Sequence, residues 1–116
     1  IMDSMPSTII AKSLKDWATK NILDAYFEGP VALDLIFSKD AAKIKGIKNN
    51  EVCGRADGII VPDIVSGNAI FKSLVYFGAG CAAGLVLGAK VPLLLTSRAD
   101  PPAARVASIA LAAISQ

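Results

Sequence analysis

A chain of 116 residues has room for one core of ordinary size and not for two complete domains. Its hydrophobic share of 53% and mean hydropathy of +0.53 exceed the roughly 45–50% apolar content usual for soluble domains, so the surplus is expected to meet either a second copy or further protein. Twelve basic against ten acidic residues leave a formal +2 with the signs interspersed, and no basic stripe is interleaved with exposed aromatics, which argues against nucleic acid as a partner.

Further exclusions come from particular residues. The longest apolar stretch, Cys81 to Leu95, is cut by Lys90 and Pro92 and falls short of the roughly 20 residues a bilayer requires, so no membrane partner is expected. Cys53 and Cys81 share no short metal spacing and histidine is absent. No disulfide framework, no Cys/His metal site and no Ser-His-Asp mechanism can therefore be built from this chain, and a reducing, cytoplasmic setting is the expectation. The start, Ile1 to Met5, has no charged region followed by a signal-like apolar core.

In chain order, Ser7 to Lys20 reads as an amphipathic helix with Ile10, Leu14, Trp17 and Ala18 at helical spacing. Asn21 to Gly29 is irregular, and Gly29-Pro30 is a breaker pair. Val31 to Phe37 reads as a strand carrying Asp34 inside it, a carboxylate that needs a partner or a function. Ser38 suits the N-cap of a short helix, Lys39 to Lys45, ended by Gly46. Ile59-Ile60-Val61 is a short apolar strand stopped by Pro62. Ser66-Gly67-Asn68 then caps a helix running to about Phe77, with Gly78 and Gly80 behind it. Ala82 to Leu87 and Val91 to Leu95 read as two buried strands, and Asp100 caps the last helix with Pro101 at its first position. Short continuous apolar strands between helices are what a covered sheet demands, so the fold class is α/β: a layered parallel or mixed sheet with helices on both faces.

In such sheets ligands bind beyond the carboxyl ends of strands. Two polar loops occupy that position. Pro62 to Asn68 enters a helix, where free N–H groups can receive an anion. Thr96-Ser97-Arg98 sits between a strand and a helix, where arginine offers a fork for phosphate or carboxylate and the hydroxyls add hydrogen bonds. A third, Gly29-Pro30-Val31 leading to Asp34, is weaker. Each loop equally serves as plain punctuation, and Lys72 reads as an exposed helix lysine. No Walker A motif or GxGxxG fingerprint is present.

Taken together, several segments stand in a recognisable order: Gly29-Pro30-Val31-Ala32-Leu33-Asp34, Ala41 to Ile47, Ala56-Asp57-Gly58-Ile59-Ile60-Val61-Pro62, Ser66-Gly67-Asn68 with Lys72, and Gly88-Ala89-Lys90-Val91-Pro92 followed by Thr96-Ser97-Arg98. From about Met5 to its end the chain resembles the C-terminal part of a phosphate acetyl/butyryltransferase. The resemblance implies an enzyme that moves an acetyl, butyryl or related short acyl group reversibly between coenzyme A and inorganic phosphate. It binds no permanent cofactor, since coenzyme A is its substrate. The resemblance further implies a fold of two α/β domains like that of the isocitrate and isopropylmalate dehydrogenases, an active site in the cleft between them, and a homodimer. Residues 1–89 would belong to the second domain, and 90–116 would complete the first as a strand, loop and helix. The chain would then be incomplete, and its surplus hydrophobicity would be surface meant for the missing half.

The same resemblance assigns site residues. Ser97 would bond the acyl carbonyl or the developing oxyanion, and Arg98 would hold phosphate. Ser66, Gly67, Asn68 and Thr96 would line the coenzyme A side of the cleft. Acetyl-type members carry an aspartate base seven residues after the serine, a position held here by Ala104. Asp100 is the nearest carboxylate and becomes the candidate base, and the departure leans towards the butyryl-like branch. Arginines that grip coenzyme A in the family would lie outside these residues. The alternative reading is a non-catalytic fragment or oligomerisation module of such an enzyme. A dehydrogenase is disfavoured, because nothing resembles a nicotinamide site or a metal-binding carboxylate cluster.

Overall fold

The computed structural model describes residues 1–115 and is α/β in character, with five helices and one small sheet among the described residues. It divides into two compact units, Ile1–Ile64 and Val65–Gln116.

In the first unit, helix α1 spans Pro6–Asn21, close to the expected limits, with proline in its first turn where the missing N–H costs nothing. Thr8 stitches its start: the hydroxyl accepts from Met2 N–H at 3.0 Å and donates to Met5 O at 2.8 Å. Of the apolar face formed by Ile10, Leu14, Trp17 and Ala18, only Ala18 is buried, and Trp17 is 57% exposed. The stretch expected as a strand, 31–37, is instead helix α2, Leu33–Phe37, opened by a bond from Leu35 N–H to Ala32 O. A short apolar run cannot be assigned by periodicity alone, and no neighbouring segment offers it a ladder. Its Asp34 is exposed, and Lys45 Nζ pairs with it at 2.7 Å. That hydrogen bond holds the carboxyl below its usual range. The partner is found, and the buried strand setting is not.

Ser38 is extended, ending α2 and starting α3, Lys39–Ile44; its Oγ accepts from Ala41 N–H at 3.1 Å, the capping bond the sequence predicts. Gly46 follows at φ +75°, and Ile47 N–H closes back on Ala42 O at 2.9 Å. Leu35, Ala42 and Cys53 form the small core here, with Val31 and Ile47 packed on it. Loop 48–55 is pinned to that core. Asn50 Oδ1 accepts from Val52 and Cys53 N–H at 2.8 Å each, while its amide donates to Glu28 at 2.7 Å. Gly54 donates to Leu35 O at 2.8 Å with φ +75°, and a Cβ there would lie 2.4 Å from Lys39 N. Only glycine fits that approach. Residues 59–61 carry no regular secondary structure, so the strand expected there does not form.

Helix α4 covers Ile64–Tyr76 and belongs to the second unit from Val65 onward. It begins two residues before Ser66, so Ser66-Gly67-Asn68 lies inside the helix, across its first and second turns, and not ahead of it as expected; Pro62 and Asp63 precede its start. Strands β1, Leu85–Val86, and β2, Leu93–Leu94, pair antiparallel in the register Leu85↔Leu94 and Val86↔Leu93. No parallel pair occurs among the described residues. The connection 87–92 is long enough for a hairpin, whereas a parallel crossover takes about a dozen residues or more. Helix α5, Pro102–Ile114, packs on both strands through Ala104, Ser108 and Ala112, small residues four apart that let helix and hairpin approach closely. Its N-cap is Pro101 with no side-chain bond, so Asp100 does not cap it. None of the helices is long and apolar enough to cross a membrane.

Candidate active-site cleft

The segment behind β2 is a closed turn. Ser97 N–H donates to Asp100 Oδ2 at 2.7 Å, and Asp100 N–H returns to Ser97 O at 3.1 Å. Ala99 N–H reaches Ser97 Oγ at 3.4 Å. Asp100, expected as a helix cap, is instead the acceptor that folds this turn, because an Asx-type bond to a nearby N–H competes well with capping. The turn presents Thr96, Ser97, Arg98 and Asp100 together along one cleft of about 480 Å³. That volume is within the range of small-molecule sites.

The rest of the cleft is apolar or backbone. Phe71 of α4 lines it, as do Ala82, Ala83 and Gly84 ahead of β1 and Ser108 of α5. Gly84 is needed there, since a Cβ would lie 2.7 Å from Leu95 O. Ser108 is fully buried, donating to Ala104 O at 2.8 Å and accepting from Gly84 N–H at 3.0 Å. One hydroxyl thus ties α5 to the strand leading into the hairpin, and so fixes the frame from which the turn projects. Nothing in the sequence marks Ser108 among the other small residues of α5; its spacing from Ala104 and Ala112 is the only signal.

Charge in the cleft is uneven. Arg98 is exposed and has no ion pair or hydrogen bond among the described residues. Its guanidinium is therefore free to take an anion in a fork. Lys72 is not the freely exposed lysine expected: it is half-buried, with Nζ 5.3 Å from the Phe71 ring centroid and 5.9 Å from that of Tyr76. A second cation thus stands beside the cleft wall.

The predicted site residues fall into two groups. Thr96, Ser97, Arg98 and Asp100 are brought together. Ser66, Gly67 and Asn68 are not among the cleft's lining. Gly67 and Asn68 stand four and three residues before Phe71 and so share its helix face one turn nearer the N-terminus, whereas Ser66 is rotated off that face. Ala104 is 1% exposed on α5 and does not line the cleft. Among the described residues no group of side chains is placed to hold a metal.

The profile of the family described as phosphate acetyl/butaryl transferase matches residues 3–113. The chain belongs to this family. It is 47% identical over 111 residues to a phosphate acetyltransferase of Rhizobium meliloti, covering 95% of this chain and 35% of that protein. To a phosphate butyryltransferase of Clostridium acetobutylicum it is 39% identical over 115 residues, covering 98% of this chain and 38% of the relative. A solved branched-chain phosphotransacylase from Enterococcus faecalis superposes with a TM-score of 0.84 at 34% identity, covering 97% of this chain and 40% of that one. The chain thus spans about a third of the length of the curated relatives it matches.

Proposed function

We propose that these residues belong to a phosphate acyltransferase that exchanges a short acyl group between coenzyme A and inorganic phosphate, with the cleft behind β2 as its acyl and phosphate site. The observation that carries this reading is the convergence of Ser97 and the unpaired Arg98 on one cleft, in a chain that the family profile matches over residues 3–113.

In the direction of acyl-CoA formation, the thiolate sulfur attacks the acyl carbon of an acyl phosphate. The C–S bond forms, the bond from that carbon to the phosphate oxygen breaks, and phosphate leaves. Arg98 would bind the phosphate through its fork and stabilise the charge that accumulates there. Ser97 Oγ would donate to the carbonyl oxygen as it becomes an oxyanion. Thr96 would help orient the ligand, with Gly67 and Asn68 extending the wall and Ser66 supporting their turn. Asp100 would receive the thiol proton: its Oδ2 is taken by Ser97 N–H, which leaves Oδ1. Proton acceptance at Ala104 has no chemical basis.

The family assignment also supports a dehydrogenase-like arrangement of two α/β domains, with 1–89 in the second and 90–116 completing the first, a homodimer, and a cytoplasmic location with coenzyme A as substrate and no resident cofactor. β2, the loop behind it and α5 are then the strand, loop and helix of 90–116. The test is Arg98→Ala in the complete enzyme. It should lose about 10²–10³ in kcat, the cost of removing one preorganised charge-stabilising group, while an unchanged rate refutes the role. A second reading, a non-catalytic module, draws on unburied apolar residues such as Leu87 at 83% exposure. It predicts that the 116 residues alone do not turn over, whereas robust turnover excludes it.

A further inference from the structure

The first unit has a cleft of its own, of about 430 Å³, whose walls carry Lys39, Lys43, Lys48 and Arg55 against a single carboxylate, Glu51. Four of the chain's twelve cations and one of its ten carboxylates are gathered here. The remaining residues, with eight cations and nine carboxylates, are slightly negative. The cations come from three backbone segments held in register. Lys39 and Lys43 are four apart on α3 and share one face. Lys48 follows the turn closed by Ile47 N–H on Ala42 O. Arg55 follows Gly54, whose backbone is pressed against Lys39.

This arrangement is repulsive as it stands. Like charges four apart on a helix cost about 0.2–0.5 kcal/mol, and the neutralising partners are weak. Lys43 meets Asp40 at 3.4 Å with both side chains more than three-quarters exposed. Lys39 and Lys48 have no ion pair among the described residues. Arg55 is paired with Glu51 in a half-exposed bridge, a kind worth about 0–1 kcal/mol. The floor is different in kind: Ala42, Ile47 and Cys53 belong to the buried core or pack on it. A ligand that relieves the repulsion and fits the floor carries more than one negative charge at one end and an uncharged organic body at the other.

We propose that this cleft binds the pyrophosphate group of an organic diphosphate, with the four cations on the phosphates and the organic part on the apolar floor. It stands on the first unit alone and does not depend on the acyltransferase reading. Two sources carry a pyrophosphate joined to an organic body, a nucleoside diphosphate at its end and coenzyme A between pantetheine and a 3′-phosphorylated adenosine, and the experiment separates them. Isothermal titration of the 116-residue chain with pyrophosphate at low salt should show saturable binding, weakened at least tenfold in Lys39→Glu/Lys48→Glu. Lys20→Glu/Lys90→Glu makes the same change in net charge away from the cleft and should weaken it less than twofold. All four lysines are exposed, and matching circular dichroism spectra check that the fold is retained. No saturable binding, or equal weakening by the two double variants, overturns the proposal. Displacement of pyrophosphate by ADP and not by coenzyme A assigns a nucleotide, and the reverse assigns coenzyme A. Displacement by neither overturns the organic part. Turnover of the complete enzyme is not read in any arm, so failure here leaves the acyltransferase reading untouched.

Discussion

Ser108→Ala is the perturbation whose cost the structure lets one work out most fully. The side chain has no exposed surface, and its oxygen closes two hydrogen bonds, from Gly84 N–H at 3.0 Å and to Ala104 O at 2.8 Å. Ala104 O keeps its place in the helical ladder, so its loss is small. Gly84 N–H has no other acceptor and becomes an orphan donor in a half-buried position. Leaving a buried donor unpaired costs about 1–3 kcal/mol, and partial access of water at Gly84 puts this case at the lower end, about 1–2 kcal/mol. That corresponds to a fall in Tm of roughly 4–8 °C for a chain of this size. Urea denaturation should be followed by far-UV circular dichroism, since the one tryptophan, Trp17, lies in α1 of the other unit. Amide exchange at Gly84 supplies the local readout. Ser108→Thr keeps the hydroxyl and should protect that amide better than Ala does. If Ser108→Ala leaves both the denaturation midpoint and the Gly84 exchange rate unchanged, the hydroxyl does not hold the hairpin to α5, and the account of how the cleft is framed is wrong.

Glu28 is pulled two ways: burial pushes its carboxyl up, and the bonds from Gly29 N–H, Lys15 and Asn50 outweigh this and hold it below the usual range of a glutamate. A lowered folded pKa stabilises above the unfolded value and is lost as pH falls through the folded one. Glu28→Gln should therefore cost about 1 kcal/mol at neutral pH, with the difference from the parent closing in acid; a pH-independent difference in urea midpoints contradicts the linkage. Gly54→Ala should destabilise by about 2–5 kcal/mol, from left-handed backbone and the collision with Lys39, and a midpoint like the parent's shows that the loop can move aside. Asp100→Asn keeps an oxygen to accept Ser97 N–H but cannot take a proton. In the complete enzyme it should retain the fold and lose about 10²–10⁴ in kcat, the contribution of a positioned base, while an unaltered rate removes Asp100 as the base.

Local chemistry written in a few consecutive residues was legible directly. Ser38 caps α3 because a hydroxyl three residues before a free N–H needs nothing else, and Gly46 turns the chain after it because its φ is positive. The sign of the Thr96-Ser97-Arg98 segment, hydroxyls beside a permanent cation between two apolar stretches, was legible for the same reason, and the structure gathers it on one cleft with Asp100. Residues 31–37 were not legible. Leu, Ile and Phe in a short run suit a buried strand or a helix equally, and the choice fell to whether a neighbouring strand exists to pair with. Nor was the sense of the sheet, since strand direction is set by where a connection returns and not by the residues inside the strands.

The sequence by itself determined the family, the cap and turn residues and the chemical character of the loop behind β2, because each depends on residue identity over short spans. Tertiary structure alone decided that Asp100 folds that loop and does not cap α5, that Ala104 is walled in while Ser108 bonds across to Gly84, and that Lys39, Lys43, Lys48 and Arg55 line one cleft. Those facts depend on which backbone comes within hydrogen-bond reach of which, and the packing of α5 on the hairpin and of Gly54 on Lys39 is what brings it there.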